Sequence, residues 1–364
     1  MNSVHEGIAG PMRILFVGAQ NPGSHSGGVY KALVRANHLV QSVDPRHFIP
    51  TVKSSVILRI FRRVLARFFE REFNLQVLRD LQSFNPELLI VYKGESVFPS
   101  TVAYAKSKGI YCVNIFPDVS IFTHGPWLPK SLPLYDHHFT TKSFGPEDLK
   151  RHLGISSVTV LHHGFDPEIH RPIPLGAVIP VELRCDISFI GTWSPKKEAL
   201  LDVVINKFPD LTVKIWGSQW ERAESKAVKK CAIGKDIMGR VYAIAIQGSV
   251  INLAILSESR VGSSAGDQVT SRTFDIPASG GFMLHERTDE LLDSFAEGTD
   301  IVCFSTADEL VSQIKHYMFN DEEREGIRLR GHHASVSKYS IDFRVAEILK
   351  HCAEIIRLTG ERCV

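Results

Sequence analysis

The chain has 364 residues, with 42 Lys and Arg against 40 Asp and Glu, and its formal charge of +2 gives no general drive toward nucleic acid or acidic polymers. Hydrophobic residues make up 44% and charged residues 23%, the balance of an ordinary soluble protein, and no apolar run approaches the roughly 20 residues that span a bilayer. The six cysteines (Cys112, Cys185, Cys231, Cys303, Cys352, Cys363) show no CxxC spacing and no signal-peptide pattern precedes them, so they read as reduced thiols of a cytoplasmic protein.

Residues 1–11 carry no periodicity and read as a lead-in. Arg13-Ile-Leu-Phe-Val-Gly18 is a short apolar run ending in glycine, followed by Asn21-Pro-Gly-Ser-His-Ser-Gly-Gly28 and a helical pattern from Val29. Strand, glycine-rich loop and helix open a doubly wound α/β domain. Further strands are expected over 88–92, 111–115, 138–140 and 159–161, with helices over 100–108 and 146–152 between them. That alternation implies a mostly parallel sheet with right-handed crossovers.

The proline-rich stretch 164–181 lacks periodicity and reads as a linker. A second cycle opens at Asp186-Ile-Ser-Phe-Ile-Gly191, with strands expected over 211–216, 251–256, 282–284 and 301–304 and a last helix over 340–357. The chain thus divides into an N-terminal Rossmann-like domain (1–170), a C-terminal one (171–340) and a helix (341–364) packing back across an inter-domain cleft.

One helical segment stands apart. In 57–73 the residues Ile57, Ile60, Phe61, Val64, Leu65 and Phe68 follow helical spacing, and Arg59, Arg63, Arg67 and Arg71 repeat every four positions. Such a helix either packs its apolar stripe into a domain or lies on an anionic membrane surface, which would make the protein peripheral at the inner membrane face.

The stretch Asp267-Gln-Val-Thr-Ser-Arg-Thr-Phe-Asp275-Ile-Pro-Ala-Ser-Gly-Gly281 places two carboxylates eight positions apart around Arg272, after a strand and a loop. In open α/β sheets the carboxyl ends of strands are where ligands bind. Carboxylates accept from sugar hydroxyls and an arginine suits a phosphate, so a nucleotide-sugar fits both. The other reading is a surface ion pair beside a Gly-Gly turn.

Three segments carry a family resemblance: Phe189-Ile-Gly-Thr-Trp-Ser-Pro-Lys-Lys197, Ile215-Trp-Gly-Ser-Gln-Trp220 and Ser271-Arg-Thr-Phe-Asp-Ile-Pro-Ala-Ser-Gly-Gly281. They resemble the spore-maturation-protein type of glycosyltransferase, within the two-Rossmann-domain (GT-B) group. The likeness covers 185–350 well and the N-terminal half more thinly, through Phe116-Pro-Asp118 and His163-Gly-Phe-Asp166. It implies a GT-B fold with a donor domain in the C-terminal half and an acceptor domain in the N-terminal half. Retaining branches of such enzymes carry a Glu-x7-Glu pair; Asp267 and Asp275 match its spacing, with aspartate at both positions. By that likeness Asp275 takes the ribose diol and Asp267 lies by the transferred sugar.

The resemblance places a basic diphosphate ligand at Lys197, with Lys196 its neighbour. Arg272 is a second cation for the diphosphate or an orienter of Asp275. Gly191, Gly280 and Gly281 would let backbone N–H groups approach the phosphates. No convincing Asp-x-Asp is present, and the histidines His137-His138, His162-His163, His170 and His332-His333 show no zinc pattern, so neither a metal nor another cofactor is expected. On the acceptor side Asp118, matching an acid in the family, and His124 are the candidate catalytic groups, with Glu95 a third. Trp216 and Trp220 either line a base pocket or pack in the core. The expected activity is metal-independent glycosyl transfer from a UDP-, GDP- or dTDP-sugar to a glycan, lipid-linked glycan or small molecule. A non-catalytic scaffold and a nucleotide-sugar epimerase remain alternatives.

Overall fold

The structure, a computed structural model, describes residues 11–49, 56–174 and 176–360, with 56–64, 359 and 360 described as backbone only. The chain forms two compact units. Unit 1 comprises Met1–His162, Arg260–Ser264 and Asp342–Val364; unit 2 comprises His163–Ser259 and Ala265–Ile341.

Unit 1 runs β1 (Arg13–Val17), α1 (His25–Arg35), β2 (Leu39–Val43), α2 (Val56–Phe84), β3 (Leu88–Tyr92), α3 (Pro99–Ser107), β4 (Tyr111–Phe116), α4 (Leu128–Ser131), β5 (His137–Thr140), α5 (Gly145–Leu153) and β6 (Val158–Val160). The strands form one parallel sheet in the order β2-β1-β3-β4-β5-β6. Near-continuous apolar runs such as Ile14-Leu-Phe-Val17 suit strands covered on both faces. On one face Leu15, Val17, Leu89 and Val91 meet Phe73, Val77 and Leu81 of α2 and Val102 and Ala105 of α3. The apolar pattern does not predict β2, because this edge strand is mixed in character and its Leu39 is 55% exposed.

The basic segment 57–73 lies within the helix α2. The side chains of Ile57, Arg59, Ile60, Phe61, Arg63 and Val64 fall outside the described residues. Of the remainder, Arg67, Phe68 and Arg71 are exposed and Phe73 is buried, so Phe68 does not face the core as the spacing predicts. No helix among the described residues is long and apolar enough to cross a membrane.

Unit 2 runs β7 (Cys185–Ile190), α6 (Pro195–Lys207), β8 (Val213–Trp216), α7 (Lys226–Cys231), α8 (Gly239–Gln247), β9 (Ser249–Ala254), α9 (Ser271–Ala278), β10 (Met283–Glu286), α10 (Asp289–Ser294), β11 (Val302–Phe304), α11 (Ala307–Phe319) and α12 (Asp321–Lys338). Its five strands are parallel in the order β11-β10-β9-β7-β8. Alternate strand residues serve two cores: Phe282, Leu284, Val302 and Phe304 pack in one, Met283 and Cys303 in the other. The final helix α13 (Ile341–Gly360) belongs to unit 1 from Asp342 onward.

The linker-like stretch begins against backbone. The Phe165 N–H donates to Tyr339 O at 3.0 Å and the Ile341 N–H to Phe165 O at 2.8 Å. A Cβ on Gly164 would stand 2.8 Å from the Ile341 nitrogen, so only glycine fits there.

Candidate functional site

Both sheets share one topology: the first strand of each unit sits between the second and the third, so the strand order reverses beside it. The crevice at the carboxyl ends of those neighbours is where doubly wound folds take ligands. In unit 2 the pair is β7 and β9. In unit 1 it is β1 and β3.

Arg272 occupies the unit 2 crevice. Thr270 caps α9 and its N–H donates to Thr273 Oγ1 at 3.0 Å, which starts the helix so that Arg272 reaches back over the sheet edge. Its Nη1 donates to Ile190 O at 3.2 Å and its Nη2 to Ile255 O at 2.9 Å, bridging the ends of β7 and β9. The guanidinium lies 5.4 Å from the Phe189 ring centroid. Its Nε has no hydrogen-bond partner, and no carboxylate oxygen stands within 4.0 Å of the group among the described residues. Burial pulls its pKa below the ordinary arginine value, with Tyr242, Asp267 and Asp275 acting in the opposite direction. A largely desolvated cation without an ion-pair partner is costly unless an anion joins it.

Lys197 enters from the first turn of α6, which Ser194 caps. It is 3% exposed, and its Nζ donates to Ser257 Oγ at 2.9 Å and Thr192 O at 3.2 Å. Lys196 is engaged elsewhere, 2.5 Å from Glu286 Oε1. Ser257 also accepts the Asp267 N–H at 2.9 Å through its carbonyl, so Lys197, Arg272 and Asp267 all meet the stretch just after β9. Asp267 is half-buried.

Asp275 sits inside α9 and is 4% exposed, with Oδ1 3.4 Å from His170 Nδ1. That nitrogen accepts the Asp166 N–H at 3.0 Å, so it carries no proton and the approach to Asp275 is a contact rather than an ion pair. The cap of α9 is Thr270, so Asp275 is not a capping acid.

The glycines divide. Gly191 follows β7, its N–H is spent on Trp216 O at 2.9 Å, and a Cβ there would stand 2.8 Å from Arg272 Nη1. Its contribution is the space the guanidinium occupies. The Gly280 and Gly281 N–H groups, expected to approach a phosphate, are engaged within the helix: they bond Pro277 O at 2.9 Å and Ile276 O at 3.0 Å, closing the C-terminal end of α9. That end precedes β10, on the amino side of the sheet, away from the crevice. Trp216 and Trp220 are both 2% exposed, and Trp220 Nε1 donates to Gly191 O, so both are core residues.

Supporting residues invisible to motif reading fix the crevice. Glu258 accepts the Lys196 N–H at 3.1 Å; burial alone would raise its pKa, but its hydrogen bonds and Lys197 hold it below the usual range. Glu198 accepts from Trp193 Nε1 at 2.7 Å and from the Glu224 and Ser225 N–H groups, again overcoming burial to keep it ionised. His285, wholly buried, donates from Nδ1 to Glu286 O and accepts at Nε2 from Thr273 Oγ1 at 2.8 Å. Burial lowers its pKa to about 4, consistent with a neutral ring.

Unit 1 gathers Asp118, His124 and Glu95 at the carboxyl ends of β3 and β4, around a residue the motifs do not single out, Lys93. Its Nζ is 3.0 Å from Glu95 Oε2 and 3.2 Å from Asp118 Oδ2. His124 Nε2 lies 3.1 Å from Asp118 Oδ2, and its Nδ1 3.7 Å from Glu95 Oε2. The only available signal in the sequence is a Lys-Gly pair directly after an apolar run.

Among the described residues no three His, Cys, Asp or Glu side chains come together to hold a metal ion. His137 and His138 sit in β5, their pKa values both lowered to about 4, chiefly by burial.

Residues 196–350 match the family model described as glycosyl transferase-like. No curated protein matches the chain in sequence. Among solved structures, a glycosyltransferase from Rickettsia africae has a TM-score of 0.62 at 14% identity, covering 96% of this chain and 99% of its own. Anabaena HepE in complex with UDP has a TM-score of 0.62 at 10% identity, covering 94% and 100%. A putative UDP-N-acetylglucosamine 2-epimerase from Listeria monocytogenes reaches 0.54 at 9% identity, covering 93% and 95%. The fold is the two-domain α/β GT-B architecture. Its C-terminal half carries a glycosyl transferase-like domain.

Proposed function

We propose that the protein moves a sugar from a nucleoside-diphosphate sugar, held by unit 2, to a hydroxyl of an acceptor held by unit 1. The observation that carries the reading is Arg272: a guanidinium at the β7/β9 crevice with donors to spare and no ion-pair partner among the described residues. A diphosphate supplies the missing charge, and as the leaving group it needs that cation most when the sugar–phosphate bond breaks. Lys197 is the second cation, exchanging Thr192 O or Ser257 Oγ for a phosphate oxygen. With two fixed cations the transfer proceeds without a metal ion. Asp275 takes the ribose hydroxyls and Asp267 stands by the transferred sugar.

In unit 1 His124 accepts the acceptor's proton, with Asp118 beside its Nε2. The acceptor is a glycan, a lipid-linked glycan or a small alcohol. The H1–H2 coupling of the product reports the stereochemical course: retention fits the Asp267–Asp275 pair, inversion fits a base from unit 1.

Calorimetry with UDP, GDP and dTDP tests the reading. At least one should bind wild-type protein, and Arg272→Met should weaken it. Failure of all three to bind, or equal affinity for the variant, overturns the proposal. Nucleotide release that depends on an added acceptor distinguishes transfer from epimerisation, which needs none.

A further inference from the structure

We propose that Lys93 is the positioning residue of the acid–base pair in unit 1, keeping His124 a neutral proton acceptor by offsetting the two carboxylates that flank it. The proposal rests on the reading of His124 as the base for the acceptor hydroxyl.

The backbone is the first ground. Lys93 has φ of 65°, in the left-handed region, immediately after β3. Of the four non-glycine residues with positive φ among those described, two are asparagine, which tolerates that region; lysine enters it only against the steric clash of its Cβ with the following carbonyl. Its surroundings enforce the conformation: the Lys93 N–H donates to Ile115 O at 2.7 Å, and Lys93 O accepts from Asn114 Nδ2 at 3.1 Å. Strain of this kind persists where a side chain must be delivered to one place.

The charges are the second ground. Asp118 stands at one ring nitrogen of His124 and Glu95 at the other. Two carboxylates around an imidazole favour the imidazolium, which has no lone pair to accept a proton. Lys93 touches both carboxylates. With its charge present, the pull of the two carboxylates toward the imidazolium is offset and the ring keeps a lone pair to accept a proton. The remaining neighbours are the neutral Phe116 ring, 6.1 Å away, and Tyr92, whose phenol burial keeps un-ionised beside Asp118. The pKa of His124 lies below its ordinary value; burial is the largest cause and Lys93 acts with it, while Asp118 and Glu95 oppose.

In the transfer step the acceptor's O–H proton passes to the unprotonated ring nitrogen of His124 as its oxygen bonds the anomeric carbon. The electron pair of the broken sugar–oxygen bond leaves on the diphosphate. A histidine already protonated at neutral pH could not begin this.

The test is an NMR titration of the His124 ring in ligand-free wild-type, Lys93→Gly and Lys93→Arg proteins, beside pH profiles of kcat/KM. Glycine removes the charge and suits the positive φ, so the variant should fold. The His124 midpoint should move to higher pH in Lys93→Gly, carrying the acid limb of the rate profile with it, and both should stay put in Lys93→Arg. An unmoved midpoint in Lys93→Gly overturns the proposal whatever the activity does. A midpoint that moves without the rate profile overturns His124 as the base, and this assignment with it, while nucleotide binding by unit 2 stands or falls separately on Arg272.

Discussion

The two units repeat one strand order, yet the charged clusters at their strand ends are built in opposite ways. In unit 2 the Arg272 guanidinium bridges two strand ends through main-chain carbonyls, with no carboxylate oxygen within 4.0 Å among the described residues. In unit 1 a lysine stands between two carboxylates beside a histidine. On the proposed reading the first takes an anion and the second an uncharged partner that brings a proton to lose. The same topology is thus specialised by a handful of side chains at the strand ends, which is where folds of this type diverge in function.

The sharpest way to break this contrast is His124→Ala. Loss of a general base should lower kcat in steady-state assays by about 10²–10⁴-fold, while nucleotide affinity by calorimetry stays as in the wild type. A fall in affinity instead would mean that the units do not divide the work.

Acid should separate the units next. His137 and His138 in unit 1 and His285 in unit 2 all have folded pKa values lowered to about 4, with burial the largest cause in each. An unfolded histidine titrates near 6.5, so between roughly pH 6.5 and 4 the unfolded chain binds protons that these rings refuse in the fold. Their contribution is fully present above that window, is lost as pH falls through it by on the order of 3 kcal/mol per ring, and levels off below it. Unit 1, with two such rings, should lose stability faster than unit 2. Urea midpoints at pH 7.5, 6 and 5, with amide exchange in β5 and β10 reporting each unit, check this. A flat series would mean the rings are accessible to protons after all.

Arg272→Met comes third. Removing charge-assisted bonds worth about 1.5–3 kcal/mol each should weaken nucleoside diphosphate binding by about 10–100-fold, read by the same calorimetry. The smallest effect is expected at Gly280, where φ of 78° disfavours any side chain. Gly280→Ala should cost about 1 kcal/mol in a urea melt and leave nucleotide affinity alone, because its N–H caps α9. A large loss of affinity there would restore the phosphate role that its place in the chain denies.

Much of the architecture is legible in the residues. Short apolar runs ending in glycine mark β1 and β7, and ten of the eleven strands among the described residues fall where apolar runs predict them. β2 escapes because an edge strand need not be apolar. At the site, the motifs point to Arg272 and Lys197, and both side chains reach the stretch just after β9. The same motifs point to Gly280 and Gly281, whose N–H groups are spent inside α9. A Gly-Gly pair looks the same whether it opens a helix to a ligand or closes its far end, and only the direction of α9 decides. Lys93 is harder still, since what distinguishes it from any surface lysine is a backbone angle and two carboxylates from different loops. Those are properties of the folded chain.

The main-chain stitch between Phe165 and the Tyr339–Ile341 stretch has a practical consequence. It brings the first entry into unit 2 and the last exit from it side by side, joined by two hydrogen bonds. A segment whose two ends meet can be lifted out of one polypeptide and spliced into another without stretching its host, as inserted domains are. Chimeras exchanging 163–259 and 265–341 between relatives of this architecture, with 260–264 kept from the host, should therefore tolerate the two outer junctions, provided Gly164 travels with the graft.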